Sequence, residues 1–146
     1  MNLALACDVR IAAESARFDT RFLAIGIHPG GGHTWMLQRA VGWQEASAML
    51  LFGETLTGQQ ALAKGLVLDC VPNEELLIRA KALVARTGHY PRELLLQTKQ
   101  SMQQTRWLDS HADAVDLEYE VQMDSLRRPE AKAALTALYE NIKSSG

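Results

Sequence analysis

Cysteine is scarce: Cys7 and Cys70 are the only two in 146 residues, and no CxxC spacing joins them. That argues against a disulfide framework and against a zinc site. Each reads instead as a small buried apolar residue in a reducing compartment, so a cytoplasmic location is expected. An excess of positive charge is also missing. Fifteen Lys plus Arg stand against seventeen Asp plus Glu, for a net charge of -2. Nucleic-acid and anionic-membrane binders need a basic surface, so both classes are excluded. No apolar run approaches the roughly 20 residues that span a bilayer. The opening residues, Met1 to Asp8, have no basic stretch, and Asp8 breaks the apolar run, so no signal peptide is expected. The four prolines are punctuation: Pro29 lies in a loop, Pro72 closes a strand, and Pro91 and Pro129 open helices.

What is present is an ordinary globular balance, 47% apolar and 22% charged, enough to fill the core of one domain or of a large piece of one. Asn2 to Cys7 reads as the tail of a helix, Val9 to Ala13 as a strand and Arg17 to Asp19 as a second short one. Ile25 to Thr34 is a glycine-rich loop. Two helices follow, the first stopping at Gly42 and the second running from Glu45 to Phe52. Thr57 is an N-cap and Gly65 a C-cap around a short helix, and Leu66 to Val71 reads as a strand. Glu74 to Arg86 predicts a helix with Leu76, Leu77, Ala80, Leu83 and Val84 on its apolar face. Beyond Gly88 the pattern is helical throughout, with helices from Pro91 towards Trp107, from Ser110 to Arg127 and from Pro129 to Ile142. There is no internal repeat.

Six blocks in register resemble the crotonase superfamily, the enoyl-CoA hydratase/isomerase proteins. They are Leu3-Ala4-Leu5-Ala6-Cys7-Asp8-Val9-Arg10-Ile11-Ala12, Ala16-Arg17-Phe18, Gly26-Ile27-His28-Pro29-Gly30-Gly31-Gly32-His33-Thr34, Leu37-Gln38-Arg39-Ala40-Val41-Gly42, Gly53 to Ala61, and Gly65-Leu66-Val67 with the Val71-Pro72 turn. The likeness runs nearly end to end. It implies a helix-rich α/β fold: the C-terminal part of a ββα spiral over residues 1–88, then a helical trimerisation region over 89–146. Family members are about twice this long. The resemblance implies that both donors of the family's oxyanion hole precede Met1, and an internal methionine or a truncated chain is the expectation.

The resemblance also implies where chemistry would sit. Hydratases of the family activate a water with two glutamates, and counting from the matching blocks places these at Asn2 and Phe22. Asparagine can orient a water but cannot take its proton, and phenylalanine has no acid–base capacity. His28 is a candidate base, against the plainer reading of a turn residue. Asp19 is a candidate displaced acid, against a salt bridge to Arg17 or Arg21. Gly30, Phe22, Leu23 and Ile25 are the candidate substrate contacts, with the Gly30 N–H expected to face the ligand. His33 reads as a capping or solvent residue, and Trp35 and Trp43 as core. No metal site is expected, because no carboxylate cluster accompanies the histidines. Lys132 and Lys143 are the only bases near Ala137 to Asn141, where relatives carry a basic cluster for coenzyme A, and Arg127-Arg128 reads as a solvated helix end.

The implied function is therefore binding or transformation of acyl-CoA thioesters in fatty-acid metabolism. Coenzyme A enters as part of the substrate, no separate cofactor is expected, and the assembly is a homotrimer or a dimer of trimers. The alternative is a non-catalytic acyl-CoA binder, or a trimer-forming fragment on the same fold.

Overall fold

The computed structural model describes residues 1–144, so the helical region expected to run to residue 146 extends past the described part. The chain divides into two compact units, one over Met1–Thr87 and one from Gly88 onward.

The first unit opens with helix α1 (Asn2–Leu5), then β1 (Ile11–Ala13), β2 (Arg17–Phe18), α2 (His33–Leu51), β3 (Leu56–Thr57), α3 (Gly58–Ala63), β4 (Asp69–Val71) and α4 (Leu76–Ala85). Strands β1 and β4 pair in parallel, Ala12 opposite Cys70, while β2 and β3 pair antiparallel, Phe18 opposite Leu56. Helix α2 is two helical stretches that meet at Gly42, whose φ of 79° and ψ of 169° are not helical. The break falls where the sequence places it.

Helix α3 begins with the expected cap. Thr57 Oγ1 accepts from the Gln60 N–H at 3.1 Å, and Gln60 Oε1 accepts from the Thr57 N–H at 2.9 Å, closing a capping box. Gly58 follows because nothing larger fits: a Cβ there would lie 2.4 Å from the Ala13 carbonyl oxygen and 2.8 Å from Cys70 Sγ. That close approach seats α3 against the β1–β4 pair. The core around this junction is made by Leu5, Ala12, Leu37, Ala46, Met49, Leu56, Ala61, Leu66 and Val67. Each large side chain among them contributes about 1.5–3 kcal/mol by leaving water. Arg10 ties two turns together, donating from Nε to the Leu66 carbonyl at 2.6 Å and from Nη1 to the Cys7 carbonyl at 3.0 Å.

Several expectations are corrected. The strand read over Leu66 to Val71 is only Asp69–Val71, because the Leu66 and Val67 N–H groups both turn back to the Ala61 carbonyl and finish α3. Cys7 is exposed, its thiol donating to the Leu3 carbonyl at 3.3 Å, whereas Cys70 is half-buried. Trp43 is 77% exposed, and Trp35 is also exposed, its ring carrying the Arg39 guanidinium at 4.0 Å from the centroid. The apolar face of α4 is not covered: Leu77 and Val84 are exposed, and Leu76, Ala80 and Leu83 are half-buried.

The second unit is α5 (Arg92–Thr105), α6 (His111–Leu126) and α7 (Pro129–Ser144). Helix α5 packs on α6, and α6 on α7. Pro91 and Ser110 stand at the N-caps, Ser110 Oγ accepting from the Asp113 N–H at 3.3 Å. Arg128 is not a solvated helix end. Its guanidinium donates to Glu93 Oε2 and to Gln97 Oε1, each at 3.1 Å, tying the start of α7 to α5. None of the described residues of this unit is buried, and Leu96, Met102, Trp107, Tyr119 and Leu138 are among its exposed apolar side chains.

Candidate functional site

Between β2 and α2 the chain passes through a tight turn. Thr20 is buried and anchors the turn, its hydroxyl donating to the Met49 carbonyl of α2 at 2.9 Å. Arg21 has φ of +37°, an unusual conformation for a side-chain-bearing residue that costs about 1–3 kcal/mol. Asp19 holds it there, accepting from the Arg21 N–H at 3.0 Å and from the guanidinium Nε. The hydrogen bond from the Arg21 side chain keeps the Asp19 carboxyl below its ordinary range. Asp19 is therefore an anion with its charge matched, and it carries no proton to donate. It lines an open cleft of about 560 Å³ together with Met1, Arg17, Phe18, Arg21 and Thr55.

Phe22 leaves this turn towards α2. Its ring meets the His33 imidazole edge-on, with centroids 4.9 Å apart and planes at 61°. Asn2, at the start of α1, reaches the same imidazole from the other element, because α1 packs on α2. Gly31 and Gly32 make the meeting possible. Both have positive φ, 64° and 75°, so the backbone can turn sharply into α2. A Cβ on Gly31 would also lie 2.8 Å from Asn2 Nδ2.

The polar pattern at this point is specific. Asn2 Nδ2 donates to the Gly30 carbonyl at 2.9 Å, and Asn2 Oδ1 is hydrogen-bonded to His33 Nδ1. The amide oxygen can only accept, so Nδ1 carries the hydrogen, and a neutral imidazole then leaves Nε2 as a bare lone pair. His33 is 1% exposed, and its Nε2 has no hydrogen-bond partner among the described residues. Burial, with a smaller contribution from the amino-terminal charge, pushes the imidazole pKa below its ordinary value. The shift favours the neutral form of this buried base.

The sequence candidates thus separate. Asn2, Phe22 and Gly30 come together at His33, a residue that the sequence alone reads as a capping or solvent one. His33 is buried because the two glycines ahead of it turn it inward against Asn2, and that pair of glycines was the available signal. His28 is exposed, and its Nδ1 is bonded at 2.7 Å to the carbonyl of Pro29, the next residue, as a turn histidine would be. Leu23 and Ile25 lie on a short 3-10 turn with 51% and 67% of their surface exposed, available to an apolar ligand. No group of three or more His, Cys, Asp or Glu side chains among the described residues could hold a metal. No described helix is long and apolar enough to cross a membrane.

Comparison with known proteins places this architecture. The family model described as Enoyl-CoA hydratase/isomerase matches residues 1–145. The chain is 44% identical over 142 residues to the probable enoyl-CoA hydratase EchA14 of Mycobacterium tuberculosis, a match covering 94% of this chain and 55% of that protein. It is 41% identical over 105 residues to the 2,3-dehydroadipyl-CoA hydratase of Escherichia coli, covering 72% of this chain and 41% of that one. A probable enoyl-CoA hydratase/isomerase of Mycobacterium abscessus, known from its crystal structure, superimposes with a TM-score of 0.85 at 29% identity, over 96% of this chain and 55% of that chain. The helix-rich α/β fold is therefore part of the crotonase fold, and the chain spans about half the length of EchA14 and of the Mycobacterium abscessus structure.

Proposed function

Because the chain belongs to the enoyl-CoA hydratase/isomerase family, we propose that the protein binds an acyl-CoA thioester, and that Asn2 and Phe22 stand where hydratases of the family carry their two glutamates. One observation carries this reading: Asn2 and Phe22, drawn from separate segments, meet at the His33 ring, and the Gly30 carbonyl holds the Asn2 amide. A paired-carboxylate mechanism is then absent at these positions, since neither an amide nor a phenyl ring takes a proton from water. Asn2 is committed to Gly30 and His33 and serves to orient. Leu23 and Ile25 offer apolar surface to the acyl chain. The ligand supplies its own coenzyme A, in a cytoplasmic setting of fatty-acid metabolism.

A second part of the reading concerns assembly. The unit from Gly88 onward buries none of its described residues while exposing large apolar ones. Helices of that kind gain their stability by packing an apolar face on something else. We infer that this unit packs subunits into a trimer or a dimer of trimers. Two plainer alternatives share the fold: an acyl-CoA binder without turnover, and a trimer-forming fragment that binds no acyl-CoA.

The test is a calorimetric titration of the native protein with crotonyl-CoA and with free coenzyme A. Saturable binding that is tighter for the thioester is the expected result. Absence of binding to crotonyl-CoA and to longer acyl-CoAs would overturn the reading.

A further inference from the structure

We propose that His33 is the acid–base residue of this site, replacing the absent carboxylate pair with a single imidazole whose Nε2 takes a proton from a hydroxyl or a water. The inference rests on the acyl-thioester reading above and adds the group that acts there. Four observations carry it. His33 touches both Asn2 and Phe22, the residues at the two glutamate positions. Its tautomer is fixed by a relay: the Gly30 carbonyl holds Asn2 Nδ2, which turns Oδ1 onto Nδ1–H and leaves Nε2 as an acceptor. That Nε2 is buried, with no hydrogen-bond partner among the described residues. Buried acceptors in folded proteins are nearly always satisfied, so an orphan calls for a role. Finally, burial lowers the imidazole pKa, which favours the neutral ring.

The step balances with one residue. As a water oxygen bonds to the β-carbon of an α,β-unsaturated thioester, one water O–H bond breaks and its proton passes to Nε2. The alkene electron pair moves towards the α-carbon and the thioester oxygen. The imidazolium then returns its proton to the α-carbon, which restores neutral His33 and completes the addition of water. Dehydration is the reverse. Asn2 is a positioning residue, since it acts through Nδ1. The half-buried Phe22 ring, edge-on to the imidazole, must rotate aside to admit the reacting oxygen.

Imidazole nitrogen NMR on the native protein, with and without β-hydroxybutyryl-CoA, tests the assignment without requiring turnover. The expected result is an Nδ1–H tautomer for His33, with the Nε2 resonance alone shifting when the thioester binds. An Nε2–H tautomer, or an unshifted resonance in a protein saturated with ligand, would overturn it. The second measurement is crotonyl-CoA hydration by His33→Asn, whose amide can keep the bond to Asn2 while losing the base. The rate should fall about 100-fold or more, with unchanged thioester affinity and loss of the acid limb of the pH–rate profile. A variant that retains both turnover and that limb would refute the role of His33 and leave the acyl-CoA reading intact. Failure of the native protein to bind any acyl-CoA would instead strike the acyl-CoA reading itself.

Discussion

At the scale of single residues, the decisive feature is a histidine held neutral inside the protein. Its folded pKa lies below the unfolded value of about 6.5, so the unfolded chain binds more protons as the pH falls through that value. The stability His33 contributes is therefore complete above that pH and is lost as the pH falls towards the folded pKa. Urea midpoints measured from about pH 7 down to about pH 5 should decline for the native protein and decline less for His33→Asn; parallel declines would show that His33 is not the titrating group. Asp19 behaves oppositely in chemical terms, since its pairing with Arg21 keeps it charged. Residue identities at Asn2, Phe22, Asp19 and Gly30 were readable in the sequence, and so was the turn character of His28. The burial of His33 was not, because a histidine in the first turn of a helix usually faces water, and only the positive φ of Gly31 and Gly32 turns this one inward.

At the scale of elements, the legible signals were local ones. Thr57 and Gln60 announce a capping box, Gly42 announces a break, and both are present as expected. What failed were readings that depend on distant partners. Leu66 and Val67 have strand-like side chains, but their N–H groups are taken by Ala61, so hydrogen bonding towards the β1 segment begins only at Leu68, whose N–H donates to the Arg10 carbonyl at 2.7 Å. Trp43 and Val84 look like core residues in sequence yet stay exposed within this unit. A close contact between elements lies at Gly58, whose missing Cβ lets α3 approach the Ala13 carbonyl. Gly58→Ala should destabilise the protein by about 1–3 kcal/mol through displacement of backbone rather than of a flexible side chain. Equilibrium denaturation gives the value, and a neutral substitution would mean that the α3–β1 junction is looser than described.

At the scale of the whole molecule, the chain covers about half the length of the relative it matches at 44% identity, and none of the described residues of its second unit is fully buried. Fold membership was legible because six sequence blocks occur in order along the chain. The sequence of one chain says nothing of what lies against the exposed apolar faces of α5, α6 and α7. Sedimentation equilibrium on the native protein should give a mass that is a multiple of three subunits, and a stable monomer would contradict the packing role assigned to α5, α6 and α7. The central claim, an acyl-thioester site worked by His33, is tested most directly by a crystal structure of the native assembly with bound β-hydroxybutyryl-CoA. The β-hydroxyl oxygen should lie within about 2.6–3.2 Å of His33 Nε2, with Phe22 turned aside. A thioester bound elsewhere, or one whose hydroxyl meets another base while Nε2 stays enclosed, would contradict it.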